Sequence, residues 1–259
     1  MSISSLINEF TPISLDEMDS VKLMSRIDTK YVVPLSVLPA ILSAAKTDYF
    51  AQEINGKRIA VYDTLYYDTE SLDMYIRHHD RQLVRQKIRV RQYVNTKETY
   101  LEVKRKNNKG RTSKRRMVVQ GFDITADTIG HGKKKDRTVE QFIAEKSRYT
   151  WSELSPRLST KFERITLVNK GKTERLTIDM HLVWENVVTG ERISFPNLVI
   201  VELKRDGNVP SYMATIMRNE RIKPLKISKY CIGTALTNPD IKKNRFNDKI
   251  RKIRKLLNI

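Results

Sequence analysis

The chain has 259 residues, with Lys+Arg at 49 against Asp+Glu at 30 and a formal charge of +19. That excess attracts polyanions such as nucleic acid, phosphates or an anionic membrane surface. The one cysteine, Cys231, excludes an internal disulfide and fits a reducing compartment. No apolar run approaches the roughly 18 residues of a membrane span, and Met1 to Phe10 lacks the basic and apolar regions of a signal peptide. The expectation is a cytoplasmic protein with a single domain over residues 1–259.

Apolar residues at helical spacing from Leu15 to Met24 predict a short helix, with Ser14 as a cap. A strand follows at 26–33, stopped by Pro34 and carrying Lys30 on an otherwise apolar edge. The spacing of Leu35, Val37, Leu38, Ile41, Leu42 and Ala45 predicts an amphipathic packing helix. Residues 58–68 read as a strand and 70–82 as a helix. His78 and His79 are adjacent there, whereas helical zinc sites space histidines by about four; both are expected at the surface.

The segments 87–93 and 100–106 predict a hairpin. Side chains alternate faces along a strand, so Lys87, Arg89 and Arg91 oppose Ile88 and Val90. In the second strand Glu102 and Lys104 oppose Leu101 and Val103. A third strand at 112–119 sets Lys114 and Arg116 on one face. The segment 121–150 reads as helix and loop, with a basic tip at 131–136 and a helix marked by Val139, Phe142 and Ile143. Further strands are expected at 158–168 (Arg164), 174–184 (Arg175, Asp179) and 197–205 (Glu202, Lys204). A helix at 212–221 precedes Lys226, Ser228, Lys229 and Cys231. Residues 240–259 form a basic amphipathic helix able to cap the domain, meet a partner or lie on acidic lipid.

The charge alternation recurs in at least six candidate strands. Sequential antiparallel strands of this kind can close into a barrel. Several amphipathic helices need an apolar surface, which the outer face of such a barrel supplies. The lumen is then charged, and unpaired buried charge is very costly. Phosphate chains fit it, since Arg bonds phosphate oxygens bidentately and Lys acts as a point charge. Glu202 among those cations suits a hard divalent metal.

Motifs along the chain resemble the VTC domain, the polyphosphate-polymerase branch of the triphosphate tunnel metalloenzymes. They are RIDTKYVV at 26–33, LYYDT at 65–69, KIRVRQY at 87–93, YLEVKRK at 100–106, TSKRRM at 112–117, PRLSTKFERI at 156–165, RLTIDM at 175–180, VIVELKRDG at 199–207 and KISKYCIG at 226–233. The resemblance implies an α+β fold: a closed antiparallel β-barrel tunnel of about eight strands, with helices packed outside. It implies transfer of the ATP γ-phosphate to a growing polyphosphate chain. The matching catalytic positions are Lys30, Arg89, Arg91, Lys104, Arg164, Arg175 and Lys229. Phosphate contacts fall to Lys87, Lys114, Arg116, Lys204, Lys226 and Ser228, and Glu202 matches the metal ligand for Mn²⁺ or Mg²⁺. Lys229 comes from the resemblance alone.

The family often has tyrosine two residues before the arginine of the PRLSTKFERI strand. Here it is Phe162, and a lost phosphate hydrogen bond costs about 1–3 kcal/mol. The ExExK signature of the cyclase and thiamine-triphosphatase branch is absent from the first strand. Any membrane channel is a separate partner chain. Three other functions compete: a triphosphatase or polyphosphatase with the same tunnel, a non-catalytic sensor of polyphosphate or inositol phosphates, and a nucleic-acid binder. The alternation of cations with apolar residues and the lack of a known nucleic-acid motif argue against the last.

Overall fold

The structure is a computed structural model describing residues 2–19, 26–120, 138–207 and 209–259. The chain runs α1 (Ile3–Asn8), β1 (Thr11–Ile13), α2 (Leu15–Asp19), β2 (Arg26–Pro34), α3 (Leu38–Ala45), β3 (Tyr49–Gln52), β4 (Ala60–Asp68), α4 (Asp73–His79), β5 (Arg85–Tyr93), β6 (Glu98–Lys106) and β7 (Thr112–Val119). It continues through α5 (Val139–Lys146), β8 (Ser155–Asn169), β9 (Glu174–Asn186), β10 (Arg192–Phe195), β11 (Leu198–Asp206), α6 (Tyr212–Asn219), α7 (Lys229–Thr237) and α8 (Asn244–Leu257). The basic tip expected at 131–136 and the end of the helix expected from Leu15 to Met24 lie outside the described residues.

Among the described residues the strands form an 11-stranded sheet with the path β2-β11-β9-β8-β4-β5-β6-β7, and β1, β3 and β10 attach beside it. All pairs on the path are antiparallel. Alternation splits the side chains. Val33, Tyr31, Val199, Val201, Leu203, Ile165, Ile178 and Leu176 pack under α1, α3 and α6 in one cluster. Leu65, Ile88, Val90, Leu101, Val103 and Met117 pack with Val139, Phe142 and Ile143 of α5 in another. This apolar layer is the core, and it leaves the charged members of each strand on the opposite face.

The sheet is curled. Five steps of about 4.8 Å would set a flat β2 and β5 about 24 Å apart. Instead Lys30 of β2 donates to the carbonyl of Ile227 at 3.2 Å, and Lys87 of β5 donates to Ser228 Oγ at 2.6 Å. Two consecutive residues thus span both strands, and the charged face is the concave one.

Two features correct the expected closed barrel. Among the described residues β2 and β7 do not pair, so the sheet stays open. The free edge of β2 is met by the chain before α7: Tyr31 bridges Pro224, and the amide of Leu225 donates to the carbonyl of Lys30 at 2.8 Å. The β7 edge carries exposed Lys114, Arg115 and Arg116, and charge on an edge strand disfavours further pairing.

Nor do all helices lie outside. α7 packs on the concave side, where Tyr230, Cys231, Ile232 and Ala235 join Tyr62, Tyr66, Phe162, Leu182, Trp184 and Ile200. A bulge in β9 makes this possible. His181 takes φ 53, and pairing with β8 shifts between Lys161 and Glu163. The extra residue moves Leu182 and Trp184 to the face of Asp179. α7 then approaches so closely that a Cβ on Gly233 would lie 2.2 Å from Trp184 Cδ1.

Candidate functional site

The register brings the charged residues together rung by rung. Lys30 pairs with Glu202, and Lys204 stands between Asp28 and Arg175. Arg164 faces Asp179. Thr64 and Tyr66 face Arg91 and Arg89. Arg89 faces Glu102, which faces Arg116, while Lys87, Lys104 and Lys114 form one row.

One part of this face is internally neutralised. Arg164 grips Asp179 with two parallel bonds, Nε to Oδ1 at 2.5 Å and a second nitrogen to Oδ2 at 2.8 Å. Lys229 at the start of α7 pairs with the same carboxylate, which is 2 % exposed. Ser228 caps that helix by accepting from the amide of Cys231 at 3.3 Å, and the indole of Trp184 donates to the carbonyl of Lys229 at 3.1 Å. Arg89 bonds Glu102 at 2.6 Å, and Lys114 pairs with the other oxygen. Burial raises both carboxyl pKa values, but the adjoining cations outweigh it and hold them well below the usual range.

The other part is not. Among the described residues Lys30, Lys87, Arg91 and Lys104 make no ion pair. Arg91 is buried with Thr64 Oγ1 at 3.2 Å as its hydrogen-bond acceptor. Burial first, then neighbouring charge, pushes Lys104 and Lys204 down to about 8. Lys104 itself is exposed on this face. Glu202 is the carboxylate of this half, and its nearest ion-pair contact is a loose 3.9 Å to Lys204. Lys30, Lys204, Arg164 and Lys104 overcome its burial and keep it ionised.

Among the described residues no cluster of three His, Cys, Asp or Glu is arranged to hold a metal. A self-sufficient cage is thus absent there. Mg²⁺-type sites, however, commonly use one or two carboxylates plus substrate phosphates and water. Glu202 fits that pattern, because Glu102 and Asp179 are engaged by cations while it keeps only a long contact.

Aromatic rings floor the site. Phe162 stacks on Tyr62 at 5.3 Å, and Lys229, Arg164 and Arg91 lie 4.6, 5.4 and 5.9 Å from its centroid. The ring lacks the tyrosine hydroxyl but supports cations through its face. Burial raises the Tyr66 phenol, but Arg89, Arg91, Lys229 and Lys87 bring it down to about 8. Its hydroxyl accepts from Arg89 at 3.3 Å.

The concave face therefore gathers Lys30, Lys87, Arg89, Arg91, Lys104, Lys114, Arg164, Arg175, Glu202, Lys204, Ser228 and Lys229. Arg116 is on the same face of β7 but exposed, with its guanidinium 4.7 Å from the Tyr100 ring. Lys226 is exposed and adds to the charge around Lys249 of α8, outside the concavity. The surface expectation for the two histidines needs correction. His79 is buried between Asp80 and Asn244, at 2.8 and 2.7 Å, and His78 is half-buried. Sequence reasoning gave no site role to Glu102, Asp179 or Tyr66. Strand alternation placed the two carboxylates on the charged face, but nothing local shows which cations they engage.

No helix among the described residues is long and apolar enough to cross a membrane. The fold is similar to solved structures of low identity. A putative adenylyl cyclase from Hippeastrum, described as having a dominant triphosphatase activity, aligns with TM-score 0.50 and 13 % identity over 82 % of this chain and 96 % of its own. A putative adenylate cyclase from Bacillus halodurans aligns with TM-score 0.50 and 11 % identity over 79 % and 96 %. Among curated proteins none matches. The model of the VTC domain matches residues 25–238, the stretch that builds the curled sheet and its basic face, and the chain belongs to that family.

Proposed function

We propose that this protein is a metal-dependent phosphotransferase that moves the γ-phosphate of ATP onto a growing polyphosphate chain. The observation that carries this reading is the set of concave-face cations that make no ion pair among the described residues: Lys30, Lys87 and Lys104 lie near one another, Lys30 and Lys104 act on Glu202, and Arg91 stands beside Arg89 and Arg164. Crowded cations, Arg91 buried and Lys30 and Lys87 half-buried, held apart from carboxylates favour an anion of high charge density. A row of phosphates supplies it.

Transfer of a phosphoryl group asks little covalent chemistry of the protein; positioning and charge stabilisation do most of the work. Arg89 and Arg164, oriented by Glu102 and Asp179, offer their remaining N–H groups to phosphate oxygens. Lys30, Lys87 and Lys104 hold successive phosphates as point charges. Glu202 would hold Mn²⁺ or Mg²⁺, which when bound would offset charge on the phosphate oxygens. An oxygen of the acceptor's terminal phosphate attacks the γ-phosphorus, the bond to the β–γ bridging oxygen breaks, and ADP leaves. No side chain serves as nucleophile, which agrees with Cys231 being buried in the α7 packing.

The second reading is hydrolysis with water as acceptor, and the fold shared with the Hippeastrum protein keeps it in view. Incubation with ATP and Mn²⁺ separates the two. Long polyphosphate supports the polymerase, orthophosphate alone supports the hydrolase, and neither product would leave a binding module.

A further inference from the structure

The basic face continues past the concavity. Ile227 and Ser228, which hold Lys30 and Lys87, are preceded in the chain by exposed Lys226. Beside them, the C-terminal end of α4 meets α8. The Phe246 ring of α8 has His78 at 6.3 Å on one side and Lys249 Nζ at 5.8 Å. The next turn of chain carries exposed Arg81, whose amide bonds the carbonyl of His78 at 3.2 Å.

Two observations make this mouth more than a solvated basic patch. The Nδ1 atom of His78 is buried and has no hydrogen-bond partner among the described residues. The acids beside it are already taken, Asp248 by Arg251 at 3.0 Å and Lys252 at 2.7 Å, and Asp80 by Lys242 at 3.1 Å and the His79 ring at 2.8 Å. Burial, then Lys87, Arg85, Lys249 and Lys30, pushes the His78 imidazole down to about 2. It is thus a neutral ring, able to donate from Nδ1 in one tautomer. Burial also lowers Lys249, and Arg81 and Lys226 reinforce that.

We propose that Arg81, Lys226 and Lys249, with the imidazole of His78, form an outer phosphate subsite that holds an internal stretch of a polyphosphate chain whose end lies in the concavity. The proposal rests on the phosphate reading of the concave face and adds a chain-length preference to it. A ligand of three phosphates fills the inner half, while a longer chain also reaches the mouth.

The test is calorimetric titration of the full chain with tripolyphosphate and with long-chain polyphosphate, for wild type, Lys249→Gln and Arg81→Gln. Each substitution should weaken the long chain about threefold at low salt and lower its log–log salt slope by about one. Tripolyphosphate affinity should not change. The ¹⁵N resonances of the His78 ring should move with the long chain and move less with tripolyphosphate. Unchanged long-chain affinity, equal loss for both ligands, or a still His78 ring with both would overturn the outer subsite. Wild type that binds neither ligand would instead overturn the phosphate reading itself. Arg81→Gln, exposed beyond the helix end, keeps the test decisive if Lys249→Gln fails to fold.

Discussion

The two halves of the concave face use the same residue types to opposite ends. Around Asp179 and Glu102, cations and carboxylates satisfy one another: Arg164 and Lys229 share one carboxylate, Arg89 and Lys114 the other. By contrast Lys30, Lys87 and Lys104, of which Lys30 and Lys104 act on Glu202, and Arg91 beside Arg89, make no ion pair among the described residues, and the one contact to Glu202 is long. The first half is folded architecture that fixes guanidinium forks in place. The second holds charge in reserve for a ligand. Substitutions should therefore damage the fold in one half and ligand handling in the other.

The largest effect expected is from Asp179→Asn. It leaves Arg164 and Lys229 buried without their carboxylate, and breaking such a pair costs about 3–5 kcal/mol. At about 2–4 °C per kcal/mol, calorimetry should record a melting point lower by about 10 °C. A shift within a degree or two would erase the distinction between the halves.

Glu202→Gln comes next. It should keep the fold and reduce metal-dependent turnover of ATP by about 10²-fold or more, measured against Mn²⁺ concentration. Wild-type turnover would remove Glu202 from the site.

Lys104→Ala should weaken tripolyphosphate about tenfold, or about 1.4 kcal/mol, without lowering the melting point. Its pH behaviour sharpens the contrast. Lys104 and Lys204 fall to about 8 in the fold from an ordinary 10.5. Between those values the unfolded chain binds more protons, so these lysines make stability rise with pH. Urea denaturation of the ligand-free protein should show that rise from about pH 8 to 10.5, smaller in Lys104→Ala and smaller again with tripolyphosphate bound.

The smallest effect belongs to Tyr66→Phe, which removes a hydroxyl on Arg89. It should weaken tripolyphosphate by about threefold, near the lower end for one hydrogen bond, and remove an ultraviolet tyrosinate titration near pH 8.

Much of this arrangement was legible in the sequence, because a strand's period of two ties each cation to a face. Lys87, Arg89 and Arg91 against Ile88 and Val90 were enough to place the basic residues opposite the core. What was not legible depends on contacts distant in the chain. The bulge at His181 turns Leu182 and Trp184 to the inner face, and only then can α7 lie inside, against Gly233. That helix brings Lys229 to Asp179. Whether the sheet closes is decided by its edges, where Pro224 and Leu225 meet β2. The adjacent histidines looked like surface residues because their neighbour, Phe246, is far off along the chain.

The most direct measurement is an experimental structure with tripolyphosphate and Mn²⁺. Phosphate oxygens should lie within hydrogen-bond distance of Lys30, Lys87, Arg91 and Lys104, and the ion on Glu202. Phosphates bound to the outer surface, with those four side chains untouched, would contradict it.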